Sequence, residues 1–157
     1  YTKDFYINSG TYVVNTKMLK EIPAQTKVSI ERETFPLLLK NNHKLYAYPN
    51  NAYWLDLGTP QKYLQAHRDV ANGKFCAPDS IQGSRYSGIQ VKGFASVGQN
   101  VQFGTGCLVE DSVILNDVII GNNVTITGSI VGNGVVLGDN VELKAGTVLG
   151  DFERRQE

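Results

Sequence analysis

Residues 120–143 read IGNNVTITGSIVGNGVVLGDNVEL, and this stretch indicates the architecture of the second half of the chain. Aliphatic residues return every five or six positions, and Gly, Asn or Asp fill the places between them. Such a period fits neither a helix nor an alternating strand, but it fits a flat face made of one short strand and one corner. Gly, Asn and Asp tolerate the left-handed backbone that corners require.

The same spacing continues on both sides of this stretch. The expected inward-facing leading residues are Val91, Val97, Phe103, Val109, Leu115, Ile120, Ile126, Val131, Leu137, Leu143 and Leu149. The steps from 115 to 120 and from 126 to 131 are five residues long, which indicates tightened corners. Companion residues four positions after a leading residue are Ala95, Val101, Cys107, Val113, Ile119, Val124, Ile130, Val135, Val141 and Thr147. Stacked units of this kind form a solenoid whose core needs neighbouring coils.

The repeat resembles the hexapeptide repeat of left-handed parallel β-helices, in which three hexads make one coil. That resemblance implies a little over three coils for roughly 60 residues. Ordinary alternating strands are the alternative interpretation. Cys107 falls on an inward position and is expected to be a small buried apolar residue.

Composition divides the 157 residues into two parts. Up to residue 75 there are ten Lys or Arg and six Asp or Glu, whereas the remainder has five and nine. Thirteen of the 16 glycines lie from Gly83 onward, and the only Trp lies before it. We therefore predict a mixed α/β piece over 1–75, a linker over 76–90 and the β-helix over 91–157.

Charge and hydropathy disfavour several classes of partner. Lys plus Arg equals Asp plus Glu at 15, which disfavours nucleic acid as the main partner. No apolar run approaches the ~18 residues of a membrane span, so we expect no membrane partner and a cytoplasmic protein. The chain begins at Tyr1 without an initiator Met, which favours a piece of a longer polypeptide.

The first part mixes predicted strands and helices. Asn15 is expected to cap a short helix through Ile22, Ser29 the next helix, and Thr59 with Pro60 a third that ends at Gly73. Pro36 cannot lie unkinked inside the second helix. The strand candidates are residues 5–8, 11–14, 44–48 and 52–57.

Asp56 stands out chemically because it ends an apolar strand candidate just before Gly58-Thr-Pro60. A carboxylate in that place needs hydrogen bonds, a cation or a metal ion. The residues alone leave both a backbone-capping role and a Mg²⁺ role open, since one carboxylate needs phosphates or waters to complete a metal site. Gly10 permits either a bulge or the close approach of a ligand, and Glu31 permits either a helix-dipole contact or a polyol contact.

Three ordered motifs carry a family resemblance across nearly the whole chain. They are INSGTY at 7–12, SIERETFP at 29–36 and WLDLGTP at 54–60, followed by a helix and the hexapeptide repeat. In this order they resemble the C-terminal part of the sugar-1-phosphate nucleotidyltransferases, above all those that use mannose-1-phosphate and GTP. The glucose-1-phosphate enzymes are near relatives.

The resemblance implies a reaction in which a sugar-1-phosphate oxygen attacks the α-phosphorus of a nucleoside triphosphate and pyrophosphate leaves, with Mg²⁺ offsetting charge. It implies that Asp56 is a metal ligand and that Asn8, Gly10 and, more weakly, Glu31 contact the sugar. No separate catalytic residue is implied. It also implies a homo-oligomer formed through the β-helix, and NDP-sugar (GDP-mannose) as the product of the complete enzyme.

The family's Gly-rich nucleotide loop, its first metal-binding aspartate and its Glu-Lys-Pro sugar motif do not occur in this sequence. The chain alone is therefore expected to be inactive. Two alternatives stay open at this point. One is a hexapeptide acyltransferase, which needs a catalytic His in or beside the β-helix, whereas the last His here is His67. The other is a non-catalytic regulatory or assembly subunit of a pyrophosphorylase.

Overall fold

A computed structural model describes residues 6–74 and 89–156. The chain forms two compact units, Tyr1–Trp54 and Leu55–Glu157. Most of the predicted linker 76–90 lies outside the described residues, and its last two residues begin the first strand. None of the helices in the described ranges combines the length and the apolar character of a membrane span.

The first unit contains short helical segments whose ends agree with the predicted caps. A 3₁₀ helix spans Thr16–Glu21, and Asn15 Oδ1 accepts a hydrogen bond from the Lys17 amide at 3.0 Å. A π-helical turn spans Ile30–Thr34, and helix α1 continues as Phe35–Lys40. Ser29 Oγ accepts from the Arg32 amide at 3.2 Å. The π-helical turn ends just before Phe35, so Pro36 lies in the first turn of α1.

The strand predictions for the first part are wrong. Among residues 6–74, the segments predicted as strands at 5–8, 11–14, 44–48 and 52–57 contain no strand, and Phe5 lies outside the described residues. A strand needs a neighbouring segment to take its backbone N–H and C=O groups, and the side-chain pattern does not provide that neighbour. Many large apolar side chains there are exposed, among them Val13, Tyr46 and Tyr48.

In the second unit, residues 55–59 lead into helix α2, Pro60–Ala71, which agrees with the prediction. Thr59 Oγ1 accepts from the Lys62 amide at 3.3 Å, and Pro60 occupies the first turn. The chain leaves the helix through Gly73, whose φ of +70° suits glycine. Helix α2 packs against the first and third strands of the β-helix.

The β-helix is a parallel solenoid of about four coils and is consistent with left-handed winding. All pairs of strands are parallel, with partners 17 or 18 residues apart. Residues 89–156 contain the strands β1 Ile89–Val97, β2 Gln102–Phe103, β3 Cys107–Ile114, β4 Ile119–Ile120, β5 Thr125–Thr127, β6 Ile130–Val131, β7 Val136–Leu137, β8 Glu142–Leu143, β9 Val148–Leu149 and β10 Arg154–Arg155.

These strands build three faces. The long strands β1 and β3 pair with each other, and β3 then pairs with β5 through its first half and with β6 through its second half. Strands β8 and β9 extend these two faces. The third face has the order β10-β7-β4-β2. Because each strand pairs only with the coil before or after it, the core is assembled from near neighbours in sequence.

Most of the predicted inward residues are confirmed. The exceptions lie at one corner and in the first strand, where Val91 is 48% exposed although it is in register with Val109. The buried core contains Val109, Ile120, Ile126, Val131, Leu137, Leu143 and Leu149, together with Cys107. The residue aligned with Val97 and Val131 is Ile114 rather than the predicted Leu115. The first five-residue step therefore runs from 109 to 114 and not from 115 to 120, whereas the step from 126 to 131 is correct.

The shorter corner changes the companion residues as well. Ser112, Val118 and Ser129 are buried, whereas the predicted companion Ile119 is 46% exposed. Ser112 Oγ donates to the Glu110 carbonyl at 2.6 Å and accepts from the Ser129 amide at 3.0 Å. Ser129 Oγ donates to the Thr127 carbonyl at 2.6 Å. Two small hydroxyl residues thus fill the tightened corner and satisfy its backbone groups.

Polar ladders close the other corners. Asn116 Oδ1 accepts a hydrogen bond from the Gln99 amide one coil earlier at 2.8 Å, and Asp139 Oδ1 accepts from the Asn122 amide at 2.7 Å. Other corner side chains bond to each other, as Asn100 Nδ2 donates to Asp117 Oδ1 at 2.9 Å. Positive φ angles occur at Asn100, Asp117, Asn123 and Asn140. This confirms that Asn and Asp adopt the left-handed corner conformation.

Candidate functional site

Two separate groups of predicted site residues are visible, one in each compact unit. Asn8, Gly10 and Glu31 belong to the first unit, and Asp56 belongs to the second. Each group is described within its own unit.

Asn8 and Glu31 meet through a residue that the sequence analysis did not select. The Tyr12 hydroxyl donates to Glu31 Oε1 at 2.6 Å and lies 3.0 Å from Asn8 Oδ1. The Tyr12 ring packs edge-on against Phe35, with 5.0 Å between the ring centroids. Tyr12 ends the motif at 7–12, and its position in that motif was the one available sequence signal.

The hydrogen bond to Glu31, followed by desolvation, raises the pKa of Tyr12 above its ordinary value of 10.0. The phenol therefore stays protonated near neutral pH and remains a hydrogen-bond donor. An amide, a phenol and a carboxylate within one cluster offer both donors and acceptors. That set suits the hydroxyl groups of a polyol better than it suits an apolar ligand.

Gly10 forms the open side of this cluster. Its amide donates to Asn8 Oδ1 at 2.8 Å, which makes a tight turn. Its φ is +74°, and no atom lies within 4 Å of the position that a Cβ would take. A side chain there would be strained by the backbone and would project into open space. Gly10 therefore leaves the backbone of the turn accessible, as a ligand-binding role requires.

Asp56 lies in the short loop that leads into α2. Its carboxylate is 55% exposed, and Oδ2 lies 3.2 Å from Lys62 Nζ in the first turn of the helix. A Cβ on Gly58 would lie 3.2 Å from the same oxygen, so a larger residue at 58 would crowd the carboxylate. Because the Asp56 carboxylate is exposed to solvent, the predicted cost of burying its charge does not arise. The ion pair with Lys62 orients the carboxylate.

The surroundings of Asp56 fit a partial metal site. A solvent-accessible carboxylate oxygen is a ligand that Mg²⁺ accepts, and Mg²⁺ commonly keeps waters and substrate phosphates as further ligands. Residues 6–74 and 89–156 hold no cluster of three or more His, Cys, Asp or Glu side chains that could bind a metal by themselves. Asp56 can supply one ligand of a shared site.

Two family models match this chain in succession. A model described as nucleotidyl transferase matches residues 2–73, and one described as GMPPB C-terminal domain matches residues 86–153. Together they span both compositional halves. The chain belongs to the sugar-1-phosphate nucleotidyltransferase family.

Individual relatives agree with this assignment. The mannose-1-phosphate guanylyltransferase of Mycobacterium tuberculosis is 32% identical over 124 residues, which cover 71% of this chain and 34% of the relative. The mannose-1-phosphate guanyltransferase of Debaryomyces hansenii is 40% identical over 58 residues, or 37% of this chain and 16% of the relative. The glucose-1-phosphate adenylyltransferase of Acetivibrio thermocellus is 27% identical over 145 residues. The match covers 71% of this chain and 34% of the relative. The chain spans about a third or less of the length of these relatives.

Proposed function

We propose that this chain is the C-terminal portion of an enzyme that makes GDP-mannose and pyrophosphate from mannose-1-phosphate and GTP. The observation that carries the proposal is the succession of a nucleotidyl transferase match and a GMPPB C-terminal match in one chain. The names of the guanylyltransferase relatives support the sugar and the base. Residues 1–75 would belong to the catalytic domain, 76–90 to a linker and 91–157 to the β-helix.

In this proposal the Asn8–Tyr12–Glu31 cluster binds hydroxyl groups of the sugar. The Asn8 amide nitrogen can donate, whereas the Glu31 carboxylate and the Tyr12 oxygen, whose own proton is donated to Glu31, can accept. Gly10 keeps the adjacent backbone accessible to the sugar, since no side chain covers it. These groups bind and orient the sugar, and none of them needs to transfer a proton. Orientation of the attacking oxygen is itself a large part of such a reaction.

Asp56 would supply one carboxylate to Mg²⁺, and Mg²⁺ when bound would neutralise charge on the phosphates. Lys62 contacts Asp56 Oδ2, so Oδ1 of the same carboxylate can bind the metal. Homo-oligomerisation through the β-helix and a cytoplasmic location remain predictions.

The test is Asp56→Ala in the complete enzyme, with Asp117→Ala as the matched control. Asp117 is a corner residue of the β-helix, where its Oδ1 accepts from Asn100 Nδ2 at 2.9 Å. We expect Asp56→Ala to abolish Mg²⁺-dependent pyrophosphate release with an unchanged circular dichroism spectrum, and Asp117→Ala to keep turnover. Retained turnover in Asp56→Ala would contradict the metal role.

The sugar-binding role of the Asn8–Tyr12–Glu31 cluster is tested separately by Tyr12→Phe. This change removes the hydroxyl that binds Glu31 and keeps the ring that packs on Phe35. We expect the KM for mannose-1-phosphate to rise and the KM for GTP to stay the same. Equal effects on both substrates would contradict a sugar-binding role for the cluster.

A further inference from the structure

We propose that Arg68 is a positioning residue that fixes helix α2, and through it the Asp56 loop, on the β-helix. This inference rests on the proposed function, because it gives the β-helix a role in presenting the metal-binding carboxylate. Both ends of the connection lie in the compact unit Leu55–Glu157. The connection runs from Asp111 and Phe94 through Arg68 and α2 to Lys62 and Asp56.

Arg68 binds the β-helix by two different contacts. Its Nη2 lies 3.2 Å from Asp111 Oδ2, and the two side chains are 42% and 35% exposed. Its Cζ lies 5.4 Å from the centroid of the Phe94 ring, within the range of a cation–π contact. Arg68 Nη1 also donates to Gln65 Oε1 at 3.4 Å, one turn earlier in the helix. A guanidinium held from three sides has a more defined position than an ordinary surface ion pair.

The part of the β-helix that contacts Arg68 departs from the regular repeat. The pairing of β1 with β3 shifts register between Lys92 and Ala95, and Asp111 lies opposite the resulting bulge with a φ of +47°. Asp111 Oδ1 accepts from the Phe94 amide at 3.3 Å, while Oδ2 faces Arg68. A Cβ on Gly93 would collide with the Asp111 carboxylate, so glycine is needed there. Bulges often re-aim a side chain, and here one carboxylate binds both the bulge and α2.

The other end of α2 carries the Asp56 loop. Lys62, in the first turn, binds Asp56 Oδ2, and Thr59 caps the helix. Arg68 lies six residues after Lys62, which corresponds to about 9 Å along a rigid helix axis. If the last turns of α2 are fixed on the bulge, the first turn and the loop before it lose freedom to move. Arg68 therefore acts on Asp56 through the helix and does not itself touch the reacting groups.

The first experiment measures hydrogen exchange in this chain for Arg68→Gln, Asp111→Asn and the control Arg155→Gln. Arg155 lies on the exposed strand β10, and its Nη2 is 3.4 Å from Glu153 Oε2. We expect the Lys62 and Tyr63 amides to exchange several-fold faster in the first two variants and unchanged in the control. The core amides of β5 and β7 serve as an internal reference for folding. Unchanged exchange at Lys62 and Tyr63 would overturn the proposal.

The second experiment uses the complete enzyme and titrates Mg²⁺. We expect Arg68→Gln to raise the Mg²⁺ concentration for half-maximal turnover by roughly tenfold, as loss of a group supporting a metal ligand commonly does. The kcat at saturating Mg²⁺ should change little, and Arg68→Lys should restore part of the metal dependence. Unchanged Mg²⁺ dependence in an active Arg68→Gln enzyme would overturn the positioning role. Absence of GDP-mannose synthesis in the unmutated enzyme would instead contradict the proposed function.

Discussion

The two compact units differ in where their backbone hydrogen bonds find partners. In the β-helix each strand pairs with residues 17 or 18 positions away, and the aligned aliphatic residues bury one another. In residues 6–54 the extended segments have no strand partner among the described residues, and many of their apolar side chains are exposed. Repeats of local sequence are thus sufficient for one region, while the other depends on pairing that its own sequence neighbours do not supply.

The largest expected effect concerns backbone protection. We expect amides in β3 and β5 to exchange at least about a thousandfold more slowly than amides in residues 44–54, because the former open only when the core opens. Hydrogen exchange with mass spectrometry measures both regions in one sample. Comparable protection in the two regions would show that the first unit has a packed structure of its own.

Ile126→Ala should destabilise the β-helix by about 2–5 kcal/mol, because it leaves a cavity in a fully packed ladder. Ile126 is 1% exposed and lies between Val109 and Leu143 in register. Urea unfolding followed by circular dichroism measures the loss. The control is Ile119→Ala, which removes an outward, 46% exposed side chain and should cost less than about 1 kcal/mol. Equal costs would mean that the inward and outward columns are misassigned.

Ser112→Ala should cost about 1–3 kcal/mol, because it removes the acceptor of the buried Ser129 amide. The matched control is Thr147→Ala in the last coil, where the side chain is only partly buried and water can replace the hydroxyl. Chemical denaturation of both variants gives the difference. A smaller loss for Ser112→Ala than for Thr147→Ala would contradict the role of the buried serines in the tightened corner.

We expect His67 to make the stability of the second unit sensitive to mild acid. Burial lowers the pKa of His67 below its ordinary value of 6.5, so the unfolded chain binds more protons than the folded chain just below that pH. Stability is therefore present above pH 6.5 and falls as the pH drops through the folded pKa. The Tm of His67→Gln should change less between pH 7.5 and 5.5 than that of the unmutated chain. The same Tm change in both would assign the acid sensitivity to other groups.

The smallest effect is expected at the exposed corner ladder. Hydrogen bonds from the Asn122 amide and side chain lower the pKa of Asp139 below 3.8. The ionised form is favoured by folding, so its contribution is present above pH 3.8 and is lost as the pH falls further. Asp139→Asn should reduce the slope of stability against pH below that value, as followed by thermal melts. An unchanged slope would mean that the corner bonds form equally well to the neutral acid.

Sequence periodicity predicted the ladders but could not choose between adjacent aliphatic residues. Ile114 and Leu115 are both suitable, as are Val118 and Ile119, and the correct members depend on where the five-residue corner falls. The position of that corner is fixed by the hydrogen bonds of the buried residues Ser112 and Ser129. A pattern of hydrophobic residues contains no information about these bonds. The bulge at Gly93 and Phe94 is likewise visible only in the pairing of β1 with β3.

The candidate site residues also divide into those that the sequence motifs selected and those that only the structure revealed. The motifs selected Asn8, Gly10, Glu31 and Asp56 as candidates, but not Tyr12. The Tyr12 hydroxyl contacts Asn8 and reaches Glu31, which lies 19 residues further along the chain. Nor could the sequence assign Lys62 to Asp56 or Arg68 to Asp111, because side-chain pairs between elements depend on how those elements pack.

By itself, the sequence determined the caps of the helices, the hexad period and the residue types at the corners, since these are local properties of spacing and backbone preference. Tertiary structure decided which of two neighbouring aliphatic residues faces inward, where α2 is anchored and which side chains share the candidate sites. These features depend on contacts between distant residues. Segments such as 44–48 show the limit most clearly, since a strand-like pattern becomes a strand only when another segment pairs with it.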